Sequence, residues 1–226
     1  MDQQSYEKKI VGEKAAEYIE DGMTVGLGTG STVAFTTKKL AERIKTEGLS
    51  IQAVSTSHAT SELAKSLGIP LKDLNDVKKI DLTIDGCDEF DPDLNGIKGG
   101  GGALLFEKIV AVSSDKNIWV ADASKSVRRL GAFPLPVEVL PFGWKHMFGA
   151  MEDKGLQPKL RMSGKDPFLT DSRNFILDCH VKEIEDAKSL AKWLNALPGV
   201  VENGLFINIA DQVLLANNDK VDVITR

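Results

Sequence analysis

Four strand-like runs, Thr24 to Leu27, Ile51 to Val54, Ile80 to Ile84 and Ile118 to Val120, alternate with helical stripes in the first half of the chain. One stripe is Val33, Thr37, Leu40 and Ile44. A second is Ala59, Leu63, Ala64 and Leu67, closed by Gly68, and a third is Leu105, Ile109 and Val112. Strands separated by helices read as crossover units, so the fold class is α/β, a parallel sheet with helices on its faces. In open sheets of this kind the ligand crevice lies at the carboxyl ends of the strands. The four runs exit into Gly28-Thr29-Gly30-Ser31-Thr32, Ser55-Thr56-Ser57, Asp85-Gly86-Cys87-Asp88 and Ala121-Asp122-Ala123-Ser124-Lys125. One such exit is ordinary loop chemistry, but four together mark a site.

A helix precedes the first strand, with Ile10, Val11, Ala15, Tyr18 and Ile19 at helical spacing and Asp21-Gly22 as its stop. The pattern changes at Gly131-Ala132-Phe133-Pro134-Leu135-Pro136, a proline-marked boundary. Beyond it the expected order is strand (137–140), helix (144–154), strand (158–162), strand (174–181), helix (187–197) and strand (200–207). That βαββαβ order is the ferredoxin-like split unit. Short strands at 212–216 and 221–225 are expected to return to the first sheet. Two domains follow: 1–130 with 206–226, and an inserted α+β domain over 131–205.

The net charge of −5 and the lack of a basic stripe argue against a nucleic-acid partner. No apolar run approaches the roughly 18 residues of a membrane span, and the polar N-terminus has no apolar signal core. A cytoplasmic address is expected. Cys87 and Cys179 are far apart, and His58, His146 and His180 are scattered, so neither a metal site nor a Ser-His-Asp triad is expected. An acidic chain that takes an anionic substrate needs a local positive site.

Gly28, Thr29, Gly30, Ser31 and Thr32 lie between a strand and a helix start, where bare backbone N–H groups and the helix dipole favour an anion. The same residues also fit a plain N-cap by Ser31 or Thr32. Serine at position 31 breaks G-x-G-x-x-G, and no lysine completes a Walker A loop. The second strand ends in Ser55-Thr56-Ser57 rather than the acidic residue of a dinucleotide site. A sugar phosphate therefore fits better than a dinucleotide.

The densest chemistry lies between 85 and 107. Asp85 and Asp88 end the third strand, Lys98 precedes Gly99-Gly100-Gly101-Gly102, and Glu107 follows on a helix that is apolar nearly all round. A glycine run suits close approach of backbone to a ligand. A carboxylate on a buried helix is costly unless used or paired, and a desolvated one is a better general base. Pairing with Lys108 is the plainer alternative. Asp85 and Asp88 fit either turn capping or handling of hydroxyl protons. Lys98 can neutralise an oxyanion, and Lys125 is a second local positive charge, although most lysines are solvated surface.

At these residues the chain resembles ribose-5-phosphate isomerases of the A type. The resemblance rests on Gly28–Thr32, Asp85-Gly86-Cys87-Asp88-Glu89, Lys98 through Lys108, Ala121–Lys125 and Phe133-Pro134-Leu135-Pro136-Val137-Glu138-Val139, and spans essentially the whole chain. It implies a Rossmann-like domain with a smaller inserted α+β domain. It also implies interconversion of ribose 5-phosphate and ribulose 5-phosphate through an enediolate, with no cofactor and no metal. By position it makes Glu107 the base that moves the carbon-bound proton. It gives Asp85 and Asp88 ring opening and the hydroxyl protons, and Lys98 with the amides of Gly99, Gly100 and Gly101 the enediolate oxygens. Thr29, Gly30, Ser31, Thr32, Gly86, Cys87, Lys125 and Lys8 become substrate-binding positions, and a homodimer or homotetramer the assembly. Two residues depart from the pattern: Cys87 where alanine is usual, and Phe106 where arginine is common. The rival reading from another class is a sugar-phosphate sensor, since fold does not fix function. Such a sensor would carry a partner or DNA-binding domain, for which the two domains leave no room. A related deaminase or acyl-CoA transferase would need a catalytic constellation that these motifs do not supply.

Overall fold

The computed structural model describes residues 2–226. The chain divides into two compact units. The first runs to Cys87 and takes in Phe106–Ser126 and Asn208–Arg226. The second comprises Asp88–Leu105 and Val127–Ile207. The stretch that carries Asp88, Lys98 and the glycine run thus clusters with the second unit, not with the first as expected.

The first unit is built on a six-stranded sheet. Its order, from one edge, is Lys220–Thr225, Gln212–Asn217, Asn117–Asp122, Leu82–Gly86, Thr24–Leu27 and Gln52–Ser55. All neighbours are parallel except the last hairpin, where Lys220–Thr225 runs antiparallel to Gln212–Asn217. The returning C-terminal strands are therefore where the sequence places them. The central strands are buried nearly throughout, as expected of a sheet covered on both faces. Val25, Leu27, Ile84, Ile118 and Leu214 pack with Val11, Ala15 and Leu40 of the helices into one core.

The first helix, Gln3–Ala16, begins earlier than its apolar stripe because the Asp2 carboxylate accepts the Ser5 N–H at 2.7 Å. It also stops earlier, before Tyr18 and Ile19. Arg43 donates to the carbonyls of Ala16 and Ile19 and so satisfies a helix end that would otherwise continue.

The second unit carries a four-stranded antiparallel sheet in the order Val200–Asn203, Leu135–Val139, Phe175–Cys179, Pro158–Leu160, with helices Trp144–Asp153 and Ala187–Asn195. That is the ferredoxin-like arrangement. Val137, Val139, Leu177 and Leu194 lie in its core. The single strand expected over 200–207 is two strands in two sheets. At Gly204 the chain turns away, and Leu205–Phe206 pairs instead with Gly96–Ile97, which pairs with Glu89–Phe90. This three-stranded ribbon delivers the chain into Lys98, whose N–H donates to the Gly204 carbonyl at 2.9 Å.

Candidate active site

In the first unit three strand exits are tied into one network. The Thr29 N–H donates to Asp85 Oδ1 at 3.0 Å, and the Gly86 N–H donates to the same oxygen at 2.7 Å. Thr29 Oγ1 lies 2.7 Å from Thr56 Oγ1 and donates to Ser57 Oγ at 2.8 Å. Thr60 donates its hydroxyl to the Gly28 carbonyl at 2.9 Å. Gly28 is required by this approach: a Cβ there would stand 2.1 Å from Asp85 Oδ1. Asp85 is 2 % exposed. Its place at the end of the buried strand Leu82–Gly86 and its two N–H donors fix the orientation of its carboxylate.

The helix after the glycine–threonine loop is Ser31–Glu47, and its N-cap is Gly30, which makes no side-chain cap bond. The plain N-cap by Ser31 or Thr32 is therefore overturned. Both hydroxyls sit in the first helical turn, beside backbone N–H groups at the positive end of the helix dipole, an arrangement suited to a phosphate. Helix Gln3–Ala16 packs against this helix. Its Gly12 faces the Thr32 backbone, with a would-be Cβ 2.7 Å from the Thr32 carbonyl oxygen. Lys8, half-buried, lies one turn before Gly12 and shares its face. Lys125 is half-buried in the short 3-10 turn Ala123–Lys125, which Asp122 caps through the Ser124 N–H at 3.1 Å. Cys87 is half-buried at the third strand exit.

Glu107 lies in helix Leu104–Val112 and is 4 % exposed. Val110 and Ala111 are buried with it, but Ile109 and Val112 are exposed. The helix is thus amphipathic rather than apolar all round in its setting, and the carboxylate lies on the buried side. Phe106 lines a cavity of about 580 Å³ with Val54, Leu74, Val110, Lys65 and Lys72. The departure from the arginine of the family pattern therefore falls on the wall of this cavity.

In the second unit the Asp88 carboxylate accepts the Gly100 N–H at 2.7 Å. Gly100 has no space for a side chain: a Cβ would lie 2.7 Å from Asp88 Oδ1 and 2.9 Å from the Phe133 ring. Gly100 and Gly101 present exposed backbone. Lys98 is 3 % exposed, with its ammonium 5.4 Å from the Phe206 ring centroid. Glu89 accepts the N–H groups of Gly131 and Phe133 and so holds the loop that packs on Gly100.

The structure adds Thr60, Glu89 and Arg161 to the residues named from sequence. Arg161 donates to the carbonyls of Gly99 and Gly100. Glu89 closes the Asp85-Gly86-Cys87-Asp88-Glu89 motif but has no role assigned to it from sequence. Thr60 and Arg161 stand in no motif, and Arg161 is about sixty positions from the glycines it touches. A lone arginine between Leu160 and Met162 carries no signal of such a partner.

A family model described as ribose 5-phosphate isomerase A (phosphoriboisomerase A) matches residues 52–220. Among curated relatives, the ribose-5-phosphate isomerase A of Lactiplantibacillus plantarum is 51% identical over 217 residues, 96% of each chain. That of Jannaschia sp. is 50% identical over 219 residues, 94% of this chain and 84% of the relative. A D-ribose-5-phosphate isomerase solved in complex with phospho-erythronic acid superposes with a TM-score of 0.96 at 40% identity, covering 100% of both chains. A second solved structure, ribose 5-phosphate isomerase A from Methanocaldococcus jannaschii, has a TM-score of 0.94 at 37% identity over 98% of this chain and 99% of that one.

Proposed function

The chain belongs to the ribose 5-phosphate isomerase A family, and from that premise we propose which of its groups perform the reaction. It is an isomerase that interconverts ribose 5-phosphate and ribulose 5-phosphate. The reaction moves one proton between C2 and C1 while the carbonyl moves the other way. It needs a base for the carbon-bound proton, donors for the oxygen that gains charge, and groups that relay hydroxyl protons.

Glu107 is that base. The observation that carries the assignment is a carboxylate 4 % exposed on the buried side of a short helix. It takes the proton from C2, and the C–H electron pair forms the C1–C2 double bond of an enediolate as the carbonyl pair moves onto O1. The base, which exchanges its proton with solvent in part of the turnovers, then delivers a proton to C1. Lys98 and the N–H groups of Gly99 and Gly101 stabilise the enediolate oxygens, while the Gly100 N–H stays on Asp88. Asp85 and Asp88 open the sugar ring and relay the hydroxyl protons. The phosphate binds to Gly30, Ser31 and Thr32 at the helix start, with Lys125 and Lys8 supplying positive charge. Thr29, Gly86 and Cys87 shape the strand exits against the sugar. No metal or cofactor enters this scheme.

No helix among the described residues is long and apolar enough to cross a membrane, and the reading places the enzyme in the cytoplasm. It also includes self-association to a homodimer or homotetramer, which would give cover to a residue such as Phe142, 93 % exposed. Turnover in deuterium oxide tests the enediolate. An enediolate with a general base leads to deuterium at C1 of ribulose 5-phosphate. Product that keeps all its protium would point to direct hydride transfer and overturn the scheme.

A further inference from the structure

Arg161 follows the strand Pro158–Leu160, and its side chain is 15% exposed. All of its guanidinium nitrogens are engaged. Nε and Nη2 form a fork on the Asp178 carboxylate at 2.9 and 2.5 Å. Nη1 donates to the Gly99 carbonyl at 2.9 Å and to the Gly100 carbonyl at 3.1 Å. The Phe168 ring lies 5.7 Å from the guanidinium carbon. A planar fork held in this way sets direction as well as charge.

In a trans peptide the carbonyl oxygen and the N–H of the next residue lie in one rigid plane and point in opposite directions from the C–N bond. The plane of the Gly99 carbonyl carries the Gly100 N–H. Arg161 holds one side of it and Asp88, at 2.7 Å from the Gly100 nitrogen, the other. The plane of the Gly100 carbonyl carries the Gly101 N–H, so holding that oxygen sets where the Gly101 N–H points. Glycine peptides are otherwise the freest to rotate.

We propose that Arg161, braced by Asp178, is a positioning residue that presets the Gly101 N–H for the enediolate oxygens, while the Gly100 N–H stays on Asp88. The inference rests on the reading above that the Gly101 N–H faces those oxygens. Preorganised donors act on charge that develops during reaction, so misaligning them lowers kcat more than it weakens substrate binding.

The test compares wild type, Arg161→Lys and Asp178→Asn for kcat, KM and affinity for phospho-erythronic acid, whose planar carboxylate resembles the enediolate. Lysine keeps the charge but not the fork. A lost oxyanion donor lowers kcat about 10²–10³-fold. Arg161→Lys is expected to lose roughly 10–100-fold, since its donors are misaligned rather than removed. KM for ribose 5-phosphate stays near wild type, and affinity for phospho-erythronic acid falls by the same factor as kcat. Arg161→Ala should regain part of its kcat when guanidinium ion is added. If both arginine variants fail to fold, Asp178→Asn carries the test with the same expected split. Unchanged kcat, or a loss confined to KM, would overturn the role of Arg161. Failure of the wild type itself to bind phospho-erythronic acid would instead overturn the reading of the glycine run.

Discussion

Gly28 and Asp85 meet at the ends of adjacent parallel strands, with the Gly28 Cα so near the carboxylate that a Cβ would stand 2.1 Å from Oδ1 and 2.5 Å from the Asp85 Cα. The Thr29 N–H then reaches that same oxygen at 3.0 Å. A methyl group at position 28 must displace backbone, not a flexible side-chain tip. Gly28→Ala is expected to destabilise the fold by about 1–3 kcal/mol, the usual cost of overpacking. It should also remove most activity, because Asp85 and the start of the phosphate loop shift together. Thermal unfolding and a turnover assay on the same preparation check both.

The two thiols differ in reach. Cys179 is fully buried, and burial followed by the nearby Asp178 charge pushes its thiol up to about 12. Cys87 is half-buried at the end of the strand Leu82–Gly86. A thiol reagent at pH 8 should therefore modify Cys87 in the native enzyme and Cys179 only after unfolding, since the thiolate is the reactive form. Ribose 5-phosphate should slow modification of Cys87. Peptide mapping after labelling distinguishes the two sites.

Glu138 is buried on the strand Leu135–Val139 and accepts hydrogen bonds from Thr170 at 2.8 Å and Asn174 at 2.9 Å. Burial raises its carboxyl above the ordinary 4.5, against those two bonds. A carboxyl raised in the folded state binds more protons there than in the unfolded chain. Its contribution to stability is thus full below pH 4.5 and is lost as pH rises through the raised value. Glu138→Gln keeps an acceptor for Thr170 and Asn174 and cannot ionise. Its unfolding temperature, relative to wild type, should rise as pH increases from 4.5 toward neutrality. A difference that is flat with pH contradicts this.

Phe106 lines a cavity with Lys65 and Lys72, while Glu107, the proposed base, lies on the buried side of the helix. Phe106→Arg should leave kcat unchanged within error. A kcat–pH profile displaced from that of wild type would show that charge at position 106 reaches Glu107.

Much of this architecture can be read from residue order alone. Strands and helices alternate from 24 to 122, and the buried stripe Val33, Thr37 and Leu40 is visible as a period. In the helix that carries Glu107, however, the stripe Leu105, Ile109 and Val112 is not the buried face, because a helix apolar nearly all round has no polar stripe to mark its outer side. The βαββαβ order of the second unit is equally plain. What could not be read depends on partners distant in sequence. The early stop of the first helix depends on Arg43, and the break at Gly204 on pairing of Leu205 with Ile97. Asp88–Leu105 clusters with the second unit because its two short strands pair with each other and with Leu205–Phe206. The same limit holds at the site. Clustered motifs such as Asp85–Glu89 and Lys98–Glu107 stand out, whereas Thr60 and Arg161 act on backbone atoms far along the chain and leave no local pattern. Nothing local shows that Glu89 binds the Gly131 and Phe133 N–H groups.

The central claim is that Glu107 carries the proton between C1 and C2. The most direct measurement is kcat of Glu107→Gln for ribose 5-phosphate, with the dissociation constant of the sugar phosphate determined on the same protein. Loss of a positioned general base is expected to lower kcat roughly 10²–10⁴-fold, with binding near that of wild type. Turnover at the wild-type rate, with the variant folded and the substrate bound, would contradict the account.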